Sequence, residues 1–179
     1  ETGEIHITTK VGGSNQGVEF RGREIKGSGG SLLIDDDLGV TGNVTFDTDL
    51  AVGASLKLGM GVEEKFSTTN GATGVTEFSG VYGHVHYLTA PAGNVTANFT
   101  NLNGGSLTAE YATNVTVIVN QGATARIVSA VQIGGSAQTI NWQGGSAPTG
   151  TSNGIDAFSF TILNDGGTYV VLGQMVDFT

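Results

Sequence analysis

Four groups of side chains in this chain have the types and spacing to do chemistry. His84-Val85-His86 places two imidazoles on one face of any strand that carries them. Three copies meeting at an axis would supply six such rings, an octahedral set suited to a transition metal. The competing and favoured reading is an ordinary polar strand face. Asp35, Asp36 and Asp37, followed by Asp47 and Asp49, invite calcium, yet the spacing D-x-D-x-D-G with a later Glu is absent. Trp142, the sole tryptophan, stands in INWQGGSAPTG among amides and hydroxyls. With Tyr87 and Tyr169 nearby it could stack on a sugar while amides bond the hydroxyls. The favoured alternative has Trp142 anchoring a core or an interchain seam, because Ile140 and turn glycines flank it. Glu63, Glu64, Glu77, Glu110, Asp156, Asp165 and Asp177 are the carboxylates a glycosidase would draw on, but no spacing singles out a pair. No G-x-S-x-G, H-E-x-x-H or P-loop occurs, so no catalytic residue and no enzyme activity is expected.

Composition says what must position these groups. Thirty Gly, two Pro, many Thr and Val and no long Leu/Ala/Glu/Lys segment point to strands and tight turns, an all-β chain. Sixteen acids against seven bases give a net charge of −9. That balance opposes phosphate backbones, and the only basic group is Arg21, Arg23 and Lys26, so no nucleic-acid partner is expected. The absence of cysteine excludes disulfides, thiolate metal sites and thiol catalysis. No run approaches the roughly 20 apolar residues of a membrane span, so no membrane insertion is expected.

Apolar pairs recur in SLLIDDDLGVTGNVTFDTDLAVGASLKLG, residues 31–59: Leu32/Ile34, Leu38/Val40, Val44/Phe46, Leu50/Val52 and Leu56/Leu58. Each pair begins six residues after the last. Six is a multiple of two, so a strand repeat keeps every pair on one face, whereas a helix would smear them around its cylinder. The pattern predicts short rungs joined by corners, as in a β-helix or triangular β-prism, with the aspartates at solvated corners. One hexad buries two apolar side chains, worth roughly 3–6 kcal/mol. Ordering six residues costs on the order of 9 kcal/mol. So short a repeat needs neighbours, and identical chains are the expected ones: an intertwined homotrimeric shaft over residues 1–61.

Residues 62–78 break the hexad register and read as a joint. From residue 79 the pattern changes to longer alternating strands: HVHYLTA, NVTANFTNL, SLTAEY, NVTVIVNQ, ATARIVSAVQI, QTINWQ, DAFSFTIL and TYVVLGQMVDF. Turn dipeptides such as Gly104-Gly105, Gly134-Gly135, Gly144-Gly145 and Gly166-Gly167 separate them. About eight strands in about 100 residues predict a jelly-roll-like β-sandwich head over residues 79–179.

The run from NVTVIVNQ to GTYVVLG resembles a C-terminal module of tailed-phage structural proteins, especially those of marine and cyanobacterial phages. Its matching positions are Gln121, Trp142, Gly144, Gly145, Ala147, Pro148, Thr149, Asp156, Phe158 and Phe160. The rungs TGNVTFDTDLAVGASL are similar to those of phage tail fibres. The resemblance implies a virion location and a trimeric tail fibre or spike component that attaches to the host surface. Its partners would be other virion proteins and a host polysaccharide or receptor. The alternative is a purely structural capsid fibre, decoration protein or tail connector. No cofactor is implied beyond an axial metal on His84 and His86. Phage fibre tips that hold metal this way carry Gly-x-His-x-His, whereas Gly83 here stands one place closer.

Overall fold

The computed structural model describes Val44, residues 61–103 and residues 105–178. The chain divides into two units, Glu1–Leu56 and Lys57–Thr179, and every described strand belongs to the second. The shaft residues Leu32, Ile34, Leu38, Val40, Phe46, Leu50, Val52, Leu56 and Leu58 lie outside the described residues, as do Asp35, Asp36, Asp37, Asp47 and Asp49.

Ten strands occur in the order β1 (Phe66–Asn70), β2 (Gly74–Ser79), β3 (Val85–Thr89), β4 (Val95–Thr100), β5 (Ala112–Asn120), β6 (Val128–Ile133), β7 (Ser136–Gln138), β8 (Ile140–Trp142), β9 (Ile155–Asp165) and β10 (Thr168–Phe178). They form two sheets, one ordered β1-β3-β5-β9-β10-β8 and the other β2-β4-β6-β7. All-β character with two facing sheets agrees with the composition.

The connectivity differs from a jelly roll, in which neighbouring strands run antiparallel. Here β1 through β6 alternate between the sheets, and like strands stack in parallel: β1 on β3 on β5, and β2 on β4 on β6. Three coil turns result. The corners stack as well, Gly71 N–H donating to Thr89 O at 3.0 Å and Ala90 N–H to Asn120 O at 3.0 Å. A parallel pair usually needs a long crossover, and in this chain the opposite sheet supplies it. The expected joint is therefore part of the body, since residues 62–78 contribute β1 and most of β2.

The coil ends in antiparallel pairing. Strand β9 pairs with β5 and turns back as β10 through Gly166-Gly167, and β6 turns back as β7 through Gly134-Gly135. In both two-residue turns each glycine has positive φ (55° and 98°; 56° and 84°), which suits the right-handed twist of a hairpin. Strand β8 pairs with the far edge of β10 in parallel.

Alternation sets the core. Phe78, Phe99 and Ile133 lie in one row of the smaller sheet, and Val117 and Phe158 in the facing one; all are buried. Residues 106–111, a strand by sequence pattern, are instead a loop. Leu107 is buried there, and its carbonyl accepts a 2.6 Å hydrogen bond from the Asn164 amide. Side-chain capture of that backbone replaces ladder pairing.

Candidate functional site

His86 lies in β3 and turns toward the second sheet, and His84 immediately precedes that strand. His86 is buried, with its ring 4.8 Å from that of Phe78 and its Nδ1 sharing a 2.7 Å hydrogen bond with the Ser67 hydroxyl. His84 Nδ1 shares a 3.0 Å hydrogen bond with Thr113 Oγ1, and its backbone N–H donates to Glu64 Oε1 at 2.6 Å. A ring enclosed within its own chain does not face an interchain axis, so the axial metal set expected from His-x-His does not fit this placement. The described residues also contain no cluster of three or more His, Cys, Asp or Glu side chains able to hold a metal.

The His86 pKa is lowered to about 4, first by burial and then by the charge of His84, with Glu64 partly opposing both. The ordinary value is about 6.5. Between these values the unfolded chain binds a proton that the folded chain refuses, so stability falls as pH drops from about 6.5 to about 4 and the loss levels off below. The expected loss is on the order of 3 kcal/mol, from about 1.4 kcal/mol per pH unit. Urea denaturation at intervals across this range checks it. His86→Gln should flatten the slope relative to the wild type, and an unchanged slope rejects the assignment.

The second constellation joins residues the sequence keeps far apart. Asp156 is wholly buried at the start of β9. Its Oδ2 accepts from Gln121 Nε2 at 2.7 Å and from Thr151 N–H at 2.9 Å. Gln121 also donates to Arg126 O at 2.6 Å and accepts from Arg126 N–H at 2.8 Å. Asp156 Oδ1 and Arg126 Nε are buried without a hydrogen-bond partner among the described residues. A Cβ at Gly150 would lie 3.1 Å from Asp156 Oδ2 and 3.2 Å from Arg126 O, so glycine lets that loop close over the carboxylate. Gln121 and Asp156 are marked in the sequence only as positions that match the phage module. Arg126, Gly150 and Thr151 are not marked, because no local pattern distinguishes them from ordinary loop residues.

The three aromatic candidates do not converge. Trp142 is half-buried at the edge of β8, with ring centroids 5.9 Å from Phe160 and 6.5 Å from Phe158. Gly173 makes room for it, since a Cβ there would come within 2.9 Å of the indole. Tyr169 packs against the core from β10 and lines a cleft with Phe99, Leu102 and Leu107. Tyr87 sits between the buried His86 and Leu88, so its side chain takes the opposite, outward face of β3. Trp142 thus serves the core, as the favoured alternative has it. Its edge also lines a shallow groove of about 450 Å3 with Asn141, Gln143, Ser159, Thr161 and Gln174. Amides and hydroxyls around an aromatic edge suit a carbohydrate better than a charged ligand.

No protein-family model, curated protein or solved structure matches this chain.

Proposed function

We propose that the protein is a homotrimeric phage tail fibre or spike component, carried on the virion, that attaches to the host surface through its C-terminal head without catalysing a reaction. The observation that carries the reading is the three-turn parallel coil of β1 to β6. A coil whose turns stack along one axis is the kind of architecture that the hexad pattern predicts. The similarity of the rungs and of the module from Gln121 to Phe160 to phage proteins supplies the biological setting. Trivalency would turn weak individual contacts into useful avidity.

The groove beside Trp142 is the contact surface proposed for a host polysaccharide. Binding of the recombinant chain to bacterial surface polysaccharides tests it, with light scattering on the same sample. We expect a mass of three times the 18.2 kDa chain, and binding that Asn141→Ala with Gln143→Ala abolishes while the mass stays unchanged. A trimer that binds no polysaccharide but assembles onto particles would instead establish the structural alternative, a capsid fibre, decoration protein or tail connector. One observation favours that second reading: the Trp142 ring is engaged by Phe158 and Phe160, which leaves only its edge for a ligand.

A further inference from the structure

The outward face of the larger sheet is nearly free of charge. Its register places Tyr87, Ile118, Ala157 and Val176 in one row across β3, β5, β9 and β10. The next row is Thr89, Asn120, Ile155 and Phe178, and the one on the other side is Val85, Thr116, Ser159 and Gln174. Phe66 and Thr68 of β1 extend two of these rows. Among the outward positions of the described strands of this sheet, the only charged residue is Asp165, at the hairpin margin. Phe66, Val176 and Phe178 are each more than half exposed (58%, 51% and 56%). The outer face of the smaller sheet also has a single charged outward residue among the described strands, Glu77, but its row of Glu77, Asn98 and Gln132 is polar rather than apolar.

A solvent-facing sheet in a chain of net charge −9 would ordinarily carry charge, which keeps it soluble and prevents stacking. From these exposed apolar rows we infer that the part of this face formed by Tyr87, Ile118, Ala157 and Val176 and by Ile155 and Phe178 in the next row, beside the Trp142 groove and not including it, is the surface on which copies of this chain pack against one another. The inference deepens the homotrimer reading above and rests on it for the identity of the partner. Charge supports a like partner, because similarly acidic chains can meet closely only where neither presents its acids. A basic partner would find no carboxylate to engage at the centre.

The chain lacks cysteine, so one introduced thiol reports on one position. Val176→Cys and, as a control on the smaller sheet, Thr96→Cys are made in the full chain, with native Trp142 fluorescence confirming the fold. Each is treated with a maleimide and, separately, with a short bis-maleimide, and its mass is measured by light scattering. The expected result is an oligomer in which Val176→Cys resists the maleimide and cross-links between chains while Thr96→Cys reacts freely and does not cross-link. An oligomer with both thiols equally reactive overturns this surface and leaves the trimer intact. A monomer with a reactive Val176→Cys overturns both. A monomer in which that thiol is protected shows the chain covering its own face and likewise refutes the inference. Should Val176→Cys fail to fold, Ala157→Cys in the same row takes its place with the same outcomes.

Discussion

Asp156→Ala is expected to destabilise the head by about 2–4 kcal/mol, because it leaves two buried donors short of an acceptor. Thr151 N–H loses its only side-chain acceptor, and Gln121 Nε2 is left with Arg126 O alone. Removing a buried carboxylate also relieves a desolvation penalty, which is why the expected loss lies below the sum of the separate hydrogen bonds. Two loops depend on this one oxygen: residues 121–127, through Gln121, and residues 147–154, through Thr151. Hydrogen exchange at the Thr151 amide should therefore accelerate far more than at the Val117 or Phe160 amides within the sheet. Asp156→Asn keeps a carbonyl oxygen able to accept both bonds and should cost less than half as much. If the asparagine variant is as unstable as the alanine one, the charge matters and the hydrogen-bond account is wrong. If the alanine variant unfolds at the wild-type urea midpoint, the network does not hold the loops at all.

Phe160→Ala should cost about 3–5 kcal/mol, the range for deleting a buried aromatic ring and leaving most of its cavity. Phe160 is wholly buried on β9. Its ring lies 5.6 Å from Phe99 on the smaller sheet and 5.9 Å from Trp142 at the β8 edge, so it ties both sheets and the short edge strand together. A loss of that size in a unit of this length lowers the melting temperature by on the order of 10 °C or more. The reporter is built in. Trp142 is the only tryptophan, and its emission should shift to the red under native conditions as the indole loses an apolar neighbour. Phe160→Leu retains much of the volume and should give a smaller loss with little spectral change. A Phe160→Ala protein within about 1 kcal/mol of wild type and unchanged in emission would show that the core collapses onto the site without penalty.

Much of this architecture can be read along the chain. The alternation in DAFSFTIL and TYVVLGQMVDF marks β9 and β10, and the buried members of DAFSFTIL are Asp156, Phe158, Phe160 and Ile162, as period two requires. Gly134-Gly135 and Gly166-Gly167 mark the two hairpins, because only residues at ease with positive φ make such turns cheaply. Gly144-Gly145 has the same chemistry and sits instead in a 3-10 turn after β8, since two permissive residues allow a reversal without dictating one. The loop at residues 106–111 reads as a strand by pattern and is captured by Asn164, some fifty positions away in sequence. For the candidate site, Trp142 in a structural role was within reach of the sequence, whereas Gln121 and Asp156 were marked only by the resemblance, and an Asp at a strand start reads as an ordinary solvated or turn-bonded residue. The inward turn of His86, the separation of Tyr87 from Trp142 and the part played by Thr151 were beyond its reach.

The amino-acid sequence by itself determined strand character, the two-residue turns and which side chains share a face, because each depends on neighbours one to four residues apart. Tertiary structure alone decided that β1 to β6 stack in parallel, that residues 62–78 join the sheets, and that Gln121 reaches Asp156 across 35 positions. Parallel and antiparallel ladders share the same period-two alternation, so the pattern is silent on strand direction. Direction is set by how corners stack and which apolar rows meet across the core, contacts that exist only once distant segments have come together.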